Sequence, residues 1–94
     1  MTQQRLHAII SGRVQGVGFR YFVIMAAVER DLTGWVRNLY NGTVEVVAEG
    51  EFEALETLLQ LLREGPRGSF VDNVAYDWSV ATHEFHTFSA GYTA

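Results

Sequence analysis

The chain has no cysteine, which excludes disulfides, thiolate nucleophiles and cysteine-ligated zinc. A domain of 94 residues without cross-links depends on its apolar core for stability. Basic residues are scarce. Seven Lys and Arg stand against eleven Asp and Glu, for a net charge of −4 and a pI near 5.2. Long polyanions are held by releasing counterions from clustered cations, so nucleic acid is not an expected partner. A local positive pocket for a small anion remains compatible with this balance. No apolar run approaches the ~20 residues of a membrane span. The polar start Met1-Thr2-Gln3-Gln4-Arg5 leads into no signal-like apolar segment, so a cytoplasmic location and no membrane partner are expected.

What is present suffices for one core. Hydrophobic residues make up 48% of the chain and mean hydropathy is +0.03, enough for a globular domain and too much for a disordered one. Residues 1–94 are therefore read as one domain, with no repeat, linker or low-complexity segment. Leu6, Ala8 and Ile10 alternate with His7, Ile9 and Ser11, which predicts a first strand over 5–13. From Arg20 to Arg30 the chain carries no Gly or Pro, and its Met25-Ala26-Ala27-Val28 centre favours a helix. Phe22, Val23, Met25 and Ala26 are its expected core face.

After Leu32-Thr33-Gly34, a second strand is expected over 35–40. Asn41-Gly42 signals a hairpin with a type I′ turn, and a third strand follows over 43–49. Gly50 is the expected N-cap of a second helix, whose Phe52, Leu55, Leu58, Leu59 and Leu62 repeat at helical spacing. Gly65-Pro66 ends it. Val74, Tyr76, Trp78 and Val80 alternate in a fourth strand over 70–81, and a short last strand is expected around 85–89. The order is β-α-β-β-α-β with a small extra strand. That is an α+β, ferredoxin-like split βαβ fold, with a mainly antiparallel sheet and two helices on one face.

The chemistry concentrates in Gly12-Arg13-Val14-Gln15-Gly16-Val17-Gly18-Phe19-Arg20, between the first strand and the first helix. Glycine-rich turns opening a helix collect main-chain N–H groups and the positive end of the dipole, which suits a small anion. Arg20 adds a planar fork of donors matched to phosphate or carboxylate oxygens. A P-loop would need Gly-Lys-Ser or Gly-Lys-Thr, and a dinucleotide fingerprint a further glycine; Phe19, Arg20 and Tyr21 supply neither. The stretch from Gly18 to Val23 superficially looks like an RNA-recognition strand, but here it enters a helix. His83, Glu84 and His86 lack a convincing further ligand for a metal. Trp35 and Trp78 read as sheet packing, and Arg13 as a strand-end charge.

That loop, together with Gly34-Trp35-Val36-Arg37-Asn38 and Asn41-Gly42-Thr43-Val44-Glu45-Val46, resembles the acylphosphatase family, and the similarity extends over essentially the whole chain. The resemblance implies a monomeric enzyme hydrolysing small acyl phosphates to a carboxylate and inorganic phosphate, with no metal or organic cofactor. Arg20 would bind the phosphate, Asn38 would position the attacking water, and Gln15, Gly16, Val17, Gly18 and Phe19 would supply a backbone N–H cradle. Three departures from the family pattern bear on stability and edge-strand behaviour: Asp31 stands where glycine is frequent, Tyr40-Asn41 where Pro or Asp is common, and the tail Phe88-Ser89-Ala90-Gly91-Tyr92 is less charged than in many relatives. A non-catalytic anion-binding module that kept the cradle is the competing class. Relatives that act on carbamoyl phosphate as part of a larger protein are a further variant.

A site of this composition contains no group that titrates near neutrality. The expected kcat for benzoyl phosphate is therefore nearly flat from roughly pH 5 to pH 8. A bell-shaped profile in that window would instead implicate a histidine.

Overall fold

The computed structural model describes residues 3–94. They fold in the order β1 (Gln3–Arg13), α1 (Phe19–Glu29), β2 (Thr33–Asn38), β3 (Val44–Glu51), α2 (Phe52–Glu64), β4 (Phe70–Val80) and β5 (Phe88–Ala90). The strands form a single sheet in the order β4-β1-β3-β2-β5. Its ladders are antiparallel except for β2–β5, which is parallel. This is the expected α+β, ferredoxin-like arrangement.

Period-two alternation decides which face is dry. Leu6, Ala8 and Ile10 are fully buried, opposite Ala48, Val46 and Val44 on one side and Trp78, Tyr76 and Val74 on the other. The amphipathic stripe Leu55, Leu58, Leu59 and Leu62 of α2 closes over this face. Phe52 tilts against Trp78 with ring centroids 4.9 Å apart. Helix α1 adds Phe19, Val23, Ala26 and Ala27 to the same core.

Several local expectations are corrected. Val23 and Ala26 are buried as expected and Phe19 joins them, but Met25 is exposed and Phe22 only half-buried against the core. The run is apolar almost all round, so its periodicity could not define one face. Gly50 is not a cap. It pairs with Gln4 inside β3, and Glu51 takes the N-cap position without a capping side chain. The hairpin is not a two-residue type I′ turn. Gly42 N–H donates to Leu39 O, Leu39 N–H donates to Thr43 O, and only Gly42 has positive φ. This is a three-residue loop, stabilised by Asn41 Oδ1 accepting from Thr43 N–H and Oγ1.

The exit of α1 takes the shape that a glycine would give it. Asp31 has φ +57°, Leu32 N–H reaches back to Ala27 O, and Asp31 N–H to Val28 O, the two bonds of a Schellman motif. A left-handed aspartate costs on the order of 1 kcal/mol, against the burial of Leu32 that the motif provides. At the other end of the chain, Gly91 N–H bonds Val36 O and Ala94 N–H bonds Asn38 O. Residues 91–94 thus continue along the β2 edge beyond β5.

Among the described residues, the outer face of the sheet holds one buried charge. Glu49 is 3% exposed beneath the segment that follows β4. Its carboxylate accepts from Arg5 Nε at 2.7 Å, Thr82 N–H at 2.9 Å, Thr82 Oγ1 at 3.0 Å and His83 N–H at 2.9 Å. Burial alone would raise its pKa. The Thr82 N–H, the Arg5 guanidinium, the His83 N–H and the Thr82 hydroxyl together outweigh it and hold the group down at about 2. The His83-Glu84 turn is therefore organised by this carboxylate.

A carboxylate depressed from an ordinary 4.5 to about 2 stabilises the fold in full above pH 4.5, and that stability disappears as pH falls toward 2. The amount is on the order of 3 kcal/mol. Denaturant unfolding at stepped pH should show this acid limb in the native chain. Glu49→Gln should be less stable at pH 7 and lose most of the fall between pH 4.5 and 2.5. An unchanged limb in that variant would reassign it to other carboxylates.

Candidate active site

Two buried side chains pin the glycine-rich loop at its ends. Val14 and Phe19 are each 1% exposed, while Gly16 and Gly18 between them are on the surface. Gly16 has φ +72° and Gly18 φ +78°, a left-handed backbone that glycine adopts without penalty. A Cβ at either position would meet nothing within 4 Å. Backbone conformation, not crowding, selects glycine here, and the space in front of the loop is open.

The consequence is a set of unpaired donors. Among the described residues, the main-chain N–H groups of 15–21 find no hydrogen-bond partner in the chain, and the first bond of the helix runs from Phe22 N–H to Gly18 O. Unpaired N–H groups at a helix start, with the dipole behind them, form an anion site. No acid lies in the first turn of α1 to neutralise it. Arg20, in that same turn, is exposed and forms no ion pair with the described residues.

A cleft of about 410 Å³ opens in front of the loop. Val14, Gly16, Gly18, Phe19 and Arg20 line it together with Asn38, the last residue of β2. The carboxamide of Asn38 has no hydrogen-bond partner among the described residues, although its main-chain carbonyl is taken by Ala94. Tyr21 and Ile24 of α1 and Ala90 of β5 complete the wall. Gln15 and Val17 do not line this cleft. Val17 packs half-buried against the core, and the Gln15 side chain turns toward the β2–β3 hairpin, its Nε2 donating to Leu39 O and Thr43 O.

The structure thus brings Gly16, Gly18, Phe19, Arg20 and Asn38 together across one cleft. Ile24 and Ala90 went unrecognised in the sequence, where nothing distinguishes them from core residues. The Gln15 hydrogen bonds span 24 and 28 positions and leave no local pattern in the sequence. A larger groove, about 660 Å³, lies between α2 and β4. Its one cation, Arg63, sits over the Tyr76 ring at 5.4 Å, and the carboxylates of Glu53 and Glu56 line the same groove, which disfavours an anion. No three His, Asp or Glu residues among those described come together as a metal site.

Comparison with known proteins is consistent over the whole length. The family model described as Acylphosphatase matches residues 6–90. An acylphosphatase of Salinibacter ruber is 49% identical over 93% of this chain and 92% of its own length. One of Bacillus subtilis is 43% identical over 99% of this chain and 100% of its own. The crystal structure of the Bacillus subtilis acylphosphatase superposes with a TM-score of 0.91 at 42% identity, covering 95% of this chain and 99% of that one. A full-length HypF in a phosphate- and nucleotide-bound form matches 98% of this chain with only 12% of its own, at 30% identity and a TM-score of 0.88.

Proposed function

This chain belongs to the acylphosphatase family and is an acyl phosphate hydrolase, and we propose that it works with the loop at 15–19 and Arg20 as phosphate site and Asn38 as the group that orients water. The observation that carries this assignment is the run of unpaired N–H groups beside an unpaired Arg20, sharing one cleft with an unpaired Asn38 carboxamide.

The terminal phosphoryl group docks against the N–H groups of Gly16, Gly18 and Phe19, with the Arg20 guanidinium on its outer oxygens. Gln15 and Val17 hold the loop in shape from behind and add their own N–H groups to its field. As water attacks phosphorus, negative charge spreads over the equatorial oxygens. Fixed donors already aimed at those oxygens stabilise it without reorganising. Charge-assisted hydrogen bonds contribute about 1.5–3 kcal/mol each, so several converging ones account for a large share of the rate gain. Asn38 Oδ1 accepts a hydrogen bond from the water and aims its lone pair along the line of attack.

The bond that breaks joins phosphorus to the acyl oxygen, and its electron pair leaves on the carboxylate. The water's proton ends on the phosphate. A carboxylic acid has a pKa near ~4, so its anion departs without a general acid. The reaction we assign therefore needs neither metal nor organic cofactor. The substrate is a small acyl phosphate and inorganic phosphate is a product. The remaining parts of the assignment are a single domain acting as a monomer in the cytoplasm, without nucleic-acid or membrane partners. The acidic balance supports the nucleic-acid part.

Arg20→Ala should lower kcat/KM for benzoyl phosphate on the order of a thousandfold, and a chelator should change nothing. Activity surviving in Arg20→Ala would move the phosphate site elsewhere. Asn38→Ala should lower kcat about a hundredfold or more, while inorganic phosphate inhibits with nearly unchanged affinity. The reverse pattern would make Asn38 a phosphate ligand. Running acetyl, benzoyl and carbamoyl phosphates side by side separates this enzyme from a non-catalytic anion-binding module.

A further inference from the structure

Gly16 and Gly18 leave the phosphate loop free to take many shapes, and none of its N–H groups is tied to the protein. Something must hold it at a set distance from β2. Val14 and Phe19 anchor its two ends in the core, but both side chains are apolar and neither can hydrogen-bond the hairpin that follows Asn38.

The Gln15 side chain does. Its Nε2 lies 2.7 Å from Leu39 O and 2.8 Å from Thr43 O, and a primary amide carries one hydrogen for each. Those carbonyls are the neck of the β2–β3 hairpin. Leu39 O also accepts from Gly42 N–H, and Thr43 O from Leu39 N–H. Leu39 follows Asn38 directly. The fork therefore joins the residue at the start of the cradle to the residue next to the water-positioning side chain.

We propose that Gln15 is a positioning residue: its amide fork sets the spacing between the phosphate cradle and Asn38. This rests on the reading of cradle and Asn38 given above. Glutamine is suited to the task because two donors on one planar group bridge two acceptors at once. Glutamate would turn a carboxylate toward both carbonyls, and asparagine would fall one methylene short. Misplacing reacting groups by about 1 Å can cost a hundredfold in rate. The loss should fall on catalysis more than on phosphate binding, since the cradle itself is main chain.

The test is a double-mutant cycle on benzoyl phosphate, with inorganic phosphate as competitive inhibitor. Gln15→Met keeps the length and removes the donors. It should lower kcat about ten- to a hundredfold, with the inhibition constant of phosphate moving less than about threefold. On an Asn38→Ala background the same change should cost less than about twofold, because there is no longer a side chain to position. Gln15→Asn serves the same cycle should Gln15→Met not fold. An unchanged kcat, a proportional loss of phosphate affinity, or the full loss recurring on the Asn38→Ala background each overturns the proposal. If Arg20→Ala and Asn38→Ala themselves leave kcat intact, the underlying site reading fails, and this inference with it.

Discussion

An unsatisfied main-chain N–H is costly wherever water cannot replace its partner, and a chain normally removes the problem with helix and sheet ladders. Here a short loop concentrates such groups at one point. It does so because the glycines at 16 and 18 hold left-handed backbone while Val14 and Phe19, buried on either side, forbid the loop to collapse onto other acceptors. Much of the remaining fold can be understood as holding this loop still and placing a second group opposite it.

The sheet order serves that purpose. β1 delivers the chain to the loop. β2, carrying Asn38, is not its direct neighbour, since β3 lies between them. The loop and helix start bridge that strand's width, and the Gln15 fork on Leu39 and Thr43 spans it in hydrogen bonds. On the far edge, β5 and residues 91–94 run along β2, so the strand bearing Asn38 is held on both sides.

The opposite face of the sheet is arranged around charge. Arg5, Thr82 and His83 close over Glu49, and Arg37 and His7 share Glu45 at 2.8 and 2.7 Å. These groups lie on the outer face, whereas Arg20 stands free at the cleft. A buried carboxylate with four donors is costly to lose, which makes the segment after β4 part of the fold and not a loose return.

Residues whose role is local were legible in the chain. The β1 alternation, the leucine stripe of α2, the glycines of the loop and the cation at a helix start all follow from period, propensity and the helix dipole, and the family motif added Asn38. Where short-range signals were ambiguous they misled. The all-round apolar character of α1 points Met25 inward although it is exposed, and Gly50 suits a cap although sheet pairing keeps it in β3. Tertiary structure alone decided which face α1 buries, that Gln15 binds the hairpin, that Glu49 is buried, and that Ala90 joins the cleft wall. Each of these depends on contacts between residues far apart in the chain, and such contacts are set by how the layers pack. The sequence determined the chemistry of the loop; packing determined what stands opposite it.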